Sequence, residues 1–172
     1  LSYNKITRLD LRNFKKLTNF TANHNTILAT VLFPDGSTEL RNIDMSDGDI
    51  THFYPVSLPN LRYLNLANGS LLELELGNNY PELRDVDISG NIGVTSIDVT
   101  QQAKLEKLLI KGTKITELNL INNPELIMLD ASNTDIAKLD LSSNKNITTL
   151  ELSDSKLSRL DVSNLANLQP IN

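Results

Sequence analysis

Residues 115–135 read ITELNLINNPELIMLDASNTD, and their spacing decides the fold. Apolar side chains stand at Ile115, Leu118 and Leu120, and again at Leu126, Leu129 and Ala131. The frame is apolar-x-x-apolar-x-apolar, followed by a polar stretch in which Asn recurs. Working outward, the same frame starts at residues 6, 17, 28, 40, 50, 61, 71, 83, 94 and 105 before this stretch, and at 136, 147 and 157 after it. A partial copy at Leu168 and Ile171 closes the chain. Of 47 frame positions, 46 are apolar, and the exception is Pro55.

A helix cannot use this pattern, because restarts every 10 to 12 residues leave no sustained stripe at the helical period. Fourth and sixth positions of a frame fall on one face of a short strand, with the fifth on the other. The first position lies where the chain turns inward. Each frame is therefore one short strand plus a corner. Corners such as Asn78-Asn79, Ser89-Gly90-Asn91, Asn122-Asn123-Pro124 and Ser142-Ser143-Asn144 carry residues that tolerate turn dihedrals and bond nearby backbone.

The frames alternate in character. Those starting at 6, 28, 50, 71, 94, 115, 136 and 157 form a first series, and those at 17, 40, 61, 83, 105, 126 and 147 a second. Two frames make one coil, which predicts about eight coils and a rod about 40 Å long at the usual inter-strand spacing. Each coil can bury its apolar side chains only against its neighbours. Leu1 and Tyr3 are expected to cover one end. Residues 23–60, with Pro34-Asp35-Gly36 and prolines 55 and 59, are the least regular stretch, and a distorted coil or small loop is expected there.

Composition agrees. The 172 residues hold 31 leucines and 21 asparagines, within the length of one domain spanning 1–172. Cysteine is absent, which removes disulfides, thiolate metal sites and thiol catalysis. The net charge of −5 lacks the basic stripe that nucleic-acid binding requires. No apolar run reaches the roughly 18 residues of a membrane span, so no membrane insertion is expected. No signal-peptide pattern opens the chain, which reads as a processed or excised segment.

The segments LDLSSN (139–144), LDASNT (129–134), VDISGN (86–91) and LDVSNL (160–165) resemble the leucine-rich-repeat family, with its LxxLxLxxN/CxL signature. The nearest resemblance is to the nested short-repeat type common in surface and secreted proteins of Bacteroidetes. The resemblance implies a right-handed solenoid of the α/β leucine-rich-repeat class, rich in parallel strands with little helix. It also implies a secreted or cell-surface bacterial setting. The signature Asn, ninth in the frame, stands at Asn25, Asn79, Asn91, Asn123 and Asn144, and is replaced at eight further positions from Gly36 to Leu165.

Recognition on such a scaffold belongs to the outward third and fifth frame positions. Twelve of the 21 acids occupy them but only four of the 16 basic residues, giving −8 on the strand faces and +3 elsewhere. That distribution favours a protein partner with a basic surface, with a glycan as the alternative. The simpler reading is that an acid before the sixth-position apolar residue is a habit of the repeat that keeps its strands soluble. The first series is the expected principal face, with Thr30, Leu32, His52, Tyr54, Glu73, Glu75, Asp98 and Glu117 as binding candidates. Leu32 and Tyr54 are expected side by side, as an apolar anchor in a polar rim. A smaller patch comprises Lys107, Leu109, Met128 and Asp130 on the second series.

Catalytic and metal constellations are poor. Glu73/Glu75 and Asp85/Asp87 place carboxylates roughly 6.5–7 Å apart along a strand, but an open face supplies no enclosed pocket to raise an acid's pKa. No nucleophile-elbow motif is present. Asp47-Gly48-Asp49 lacks the ligand spacing of a calcium loop. No cofactor is expected. The sequence therefore reads as a non-catalytic interaction or adhesion module, with a structural spacer or stalk in a larger surface protein as the competing reading.

Overall fold

The computed structural model describes residues 1–54 and 56–169; Pro55, the one non-apolar frame position, and Ile171 lie outside them. Among the described residues nine three-residue strands follow one another: β1 Arg8–Asp10, β2 Asn19–Thr21, β3 Thr30–Leu32, β4 Asn42–Asp44, β5 Tyr63–Asn65, β6 Asp85–Asp87, β7 Lys107–Leu109, β8 Met128–Asp130 and β9 Thr149–Glu151. Every pairing is parallel. A seven-stranded sheet runs β2-β4-β5-β6-β7-β8-β9, and β1 pairs with β3 in a second sheet half a coil away.

The frame explains the core. Each described frame position is either buried or packed against the buried cluster. The partly exposed ones fall at the two ends of the stack: Ile6, Leu9 and Leu17 at one, and Leu139, Leu152, Leu157, Leu160, Val162 and Leu168 at the other. This is what stacking predicts, since only interior coils have neighbours on both sides. At the N-terminal end, Tyr3 donates its amide to the Asn23 carbonyl at 3.2 Å, as a preceding strand would.

Three repeated devices hold the corners. In the first, the fifth-position side chain folds back to accept the amide two residues on. Asp10, Asp44, Asp87, Asp98, Asp130, Asp140 and Asp161 do this at 2.8–3.1 Å, and Asn65 and Asn119 do it without charge. In the second, every coil of the second series turns through a left-handed residue: His24, Asp47, Asn68, Gly90, Gly112, Asn133 and Asp154. The first six donate their amides to the next coil at 2.7–3.0 Å. Gly, Asn and Asp fill most of these places because they enter that region at least cost. The third is the buried Asn of the corner. Asn25 and Asn91 each donate side-chain hydrogen bonds to their own coil and to the preceding segment, and Asn123 and Asn144 each donate to two carbonyls of the preceding coil. Thr113 and Thr134 substitute a hydroxyl that bonds the carbonyl three residues back.

Two expectations need correction. The expected α/β class with little helix becomes a solenoid of strands and turns, with no helix among the described residues. The continuous sheet makes about six turns, rather than showing eight coils stranded on both sides. Among the described residues, regular strands of the first series stop at β3, followed by one isolated parallel bridge, His52 to Glu73. Beyond it, bonds such as Lys114 N to Val94 O and Asp135 N to Ile115 O still join adjacent coils on that side. The second-series side thus carries a continuous ladder, and the first-series side beyond Glu73 is joined by single inter-coil bonds. Both sides keep the same buried apolar frame.

Candidate functional site

Leu32, on β3, and Tyr54 line one cleft of about 440 Å3, together with Val31, Phe33, Val56, Arg12, Lys15 and Asp35. Tyr54 is 58% exposed, and Leu32 is half-buried. The irregular stretch makes this space. Gly36 turns with a positive φ of 69°, and its amide donates to the Ser57 carbonyl at 2.8 Å. The Asp35 carboxylate accepts the Ser57 amide at 2.8 Å. The loop is thereby fastened to the next coil, with Val56 beside the apolar floor.

The other first-series candidates divide. Thr30 shares β3 with Leu32. The His52 ring lies 6.0 Å from that of Tyr54, stacked at 19°, and its Nε2 is 3.7 Å from a Glu73 oxygen. Leu32, Tyr54, His52 and Glu73 are therefore linked in turn through the cleft, the ring stack and the Nε2 contact, while Thr30 shares only the strand of Leu32. Glu75 is exposed on the same side. Of all the first-series candidates only Leu32 and Tyr54 line the cleft, and Asp98 and Glu117 belong to later coils. Asp98 is engaged with the Thr100 hydroxyl and amide, which hold its carboxyl below the usual range.

On the continuous sheet, Lys107 stands opposite Met128 and Leu109 opposite Asp130, so the smaller patch forms across β7 and β8. In the same ladder Tyr63 faces Asn42 on one side and Asp85 on the other. Partial burial pushes the Tyr63 hydroxyl up, with Asp44, Asp87 and Asp85 adding to the shift and a bond with Asn65 opposing it. Burial likewise raises Asp85. Arg41, Arg62 and Arg84 precede β4, β5 and β6 and follow one another coil to coil, the Arg62 amide donating to the Arg41 carbonyl at 2.8 Å and the Arg84 amide to the Arg62 carbonyl at 2.9 Å. Arg84 is ion-paired with Glu106.

The acidity of the faces now has a cause. Seven of the twelve outward acids are the turn-closing aspartates described above. Their carboxylates serve the backbone, and the charge they bring to the surface is a consequence.

Sequence reasoning missed Arg12, Lys15 and Val56 as cleft residues. Arg12 and Lys15 sit in a corner, outside the outward strand positions, and Val56 follows a broken frame. One signal was available: residues 1–16 hold five basic side chains and one acid.

Parallel three-residue strands stacked on an apolar frame, with Asn-bonded corners, define a β-solenoid of tandem repeats. Its fold is that of the leucine-rich-repeat proteins. Solved structures agree. The functional domain of the internalin InlJ from Listeria monocytogenes, which includes a cysteine ladder, superimposes with a TM-score of 0.78 at 30% identity, over 94% of this chain and 40% of that one. The internalin InlF of Listeria monocytogenes matches at 0.72 and 22% identity, over 94% and 56% respectively. A leucine-rich-repeat protein of Leptospira interrogans matches at 0.62 and 17% identity, over 98% and 64%. The chain therefore spans about half or less of the two internalin structures. No family model matches it, and no curated protein does. Among the described residues no helix is long and apolar enough to cross a membrane.

Proposed function

We propose that the chain is a non-catalytic recognition module that binds a protein partner through first-series positions, anchored at Leu32 and Tyr54. The observation that carries this reading is the cleft itself. An aromatic ring 58% exposed stands beside an apolar floor, rimmed by polar and charged groups. Exposing that much apolar surface on a stable scaffold disfavours the isolated chain, and a partner that covers it recovers the difference. The resemblance to the internalins InlJ and InlF favours a protein-binding role and a surface or secreted bacterial setting. Arg12, Lys15 and Asp35 form the polar rim; among first-series candidates His52 and Glu73 adjoin Tyr54, and Thr30, Glu75, Asp98 and Glu117 extend the face along the rod. The patch of Lys107, Leu109, Met128 and Asp130 is a second, smaller contact.

The test uses peptides selected from a random display library on the intact chain. A recognition module yields peptides whose affinity falls at least tenfold on Leu32→Ala/Tyr54→Ala, while circular dichroism is unchanged. A spacer yields none that distinguish the variant from the parent.

A further inference from the structure

Charge is unevenly distributed along the rod. Residues 1–16 carry Lys5, Arg8, Arg12, Lys15 and Lys16 against Asp10 alone, a net +4, whereas the remaining residues sum to −9. The cleft that pairs an apolar floor with the exposed Tyr54 ring opens beside this basic coil, with Arg12 and Lys15 among its lining. Resting on the recognition reading above, we propose that the Leu32–Tyr54 cleft takes an acidic peptide segment of a protein partner. One large apolar side chain would lie on Val31, Leu32, Phe33 and Val56, with flanking carboxylates turned toward Lys15 and Arg12.

The charges at the rim are not equivalent. Arg12 is clamped on Asp10, its Nε and Nη2 donating to both carboxylate oxygens. Asp35 is engaged by the Ser57 amide. Lys15 makes no ion pair among the described residues, while the carbonyl of its own backbone is fixed by the Ser37 hydroxyl at 3.0 Å. Its ammonium group is therefore the cation available to a ligand, on a backbone held in place. Arg12 keeps guanidinium donors beyond those used by Asp10.

The volume falls within the roughly 300–1,000 Å3 of ordinary ligand sites. Its floor is hydrocarbon, so a sulfated glycan would satisfy the cations but leave its hydroxyls unpaired there. A purely apolar segment would use the floor but draw nothing from the basic coil. An acidic peptide with an apolar anchor uses both, and its approach is steered by the positive end of an otherwise negative rod.

The experiment sequences the display-selected peptides and measures their affinities at two salt concentrations, with heparin as a parallel probe. The proposal expects an aromatic, Leu or Met side chain next to Asp or Glu. It expects at least tenfold weakening by Tyr54→Ala, several-fold weakening by Lys15→Glu, and affinity that falls with salt. Selected peptides that are basic or neutral yet depend on Tyr54 overturn the acidic specificity and leave the recognition reading standing. Peptides indifferent to Leu32→Ala and Tyr54→Ala overturn both. Heparin binding that displaces the peptides and survives Tyr54→Ala overturns the proposal in favour of a polyanion site.

Discussion

The side-chain oxygen of Asn91 accepts the amide of Leu71 at 2.9 Å, twenty residues back along the chain. Its nitrogen donates to the carbonyls of Leu66 and Ile88 at 2.8 and 2.9 Å. One fully buried side chain thus serves three backbone groups in two coils. Asn91→Ala leaves all three without that partner, and a cost of at least about 3 kcal/mol is expected in urea unfolding. Asn79→Ala is the control. That residue is half-buried, its side chain makes no hydrogen bond among the described residues, and the cost should stay below about 1 kcal/mol.

Gly90 has a φ of 75°, and a Cβ there would lie 2.6 Å from Asn68 Oδ1. Gly90→Ala combines left-handed strain of about 1–2 kcal/mol with a clash against the neighbouring coil. Gly36 has a similar φ but nothing within 4 Å of its Cβ position. Thermal melts should therefore show a larger drop for Gly90→Ala than for Gly36→Ala. Adding Asn68→Gly to the Gly90→Ala chain should recover part of the difference.

The turn-closing acids predict a distinction between charge and oxygen. Asp130 accepts the Ser132 amide at 3.0 Å, and Asn65 accepts the Ala67 amide at 3.0 Å in its own coil. Asp130→Asn should leave stability within about 0.5 kcal/mol, whereas Asp130→Ala should cost about 0.5–1.5 kcal/mol. Unfolding titrations of the two variants check this.

Tyr80 is fully buried, and burial pushes its hydroxyl up to about 12. The neutral form is favoured in the folded state, so this contribution is complete below the ordinary tyrosine pKa near 10. It is lost as pH rises from about 10 toward 12. Stability measured against pH should fall across that window, and Tyr80→Phe should flatten the fall. The opposite sign holds for Asp98, Asp140 and Asp161, whose bonds at the turns hold their carboxyls below the usual range. Their contribution is present above the ordinary carboxylate pKa and disappears as pH falls through the depressed values.

Much of this molecule was readable from spacing. Leu64, Leu108 and Leu129 are fully buried because the frame repeats in step with the coil. The division of labour between the two series was not readable. Val86 and Leu118 occupy the same frame position and are both buried, yet only Val86 lies in a strand. A period of apolar residues records which side chains turn inward, not how closely adjacent coils approach on each side. Leu58 and Tyr80 are buried from corner positions, which a frame of strand residues does not predict. The Leu32–Tyr54 pairing followed from their places in successive coils. Lys15 and Arg12 reach the same cleft through the fold of a corner, which the frame leaves undefined.

The recognition account is tested most directly by methyl-labelled NMR of the intact chain titrated with a display-selected peptide. The account predicts shift changes concentrated on the methyl groups of Val31, Leu32 and Val56, with Leu109 and Met128 little affected, and their loss on Tyr54→Ala. Changes centred on Leu109 and Met128, with Leu32 and Val56 undisturbed, would place recognition on the continuous sheet and contradict it.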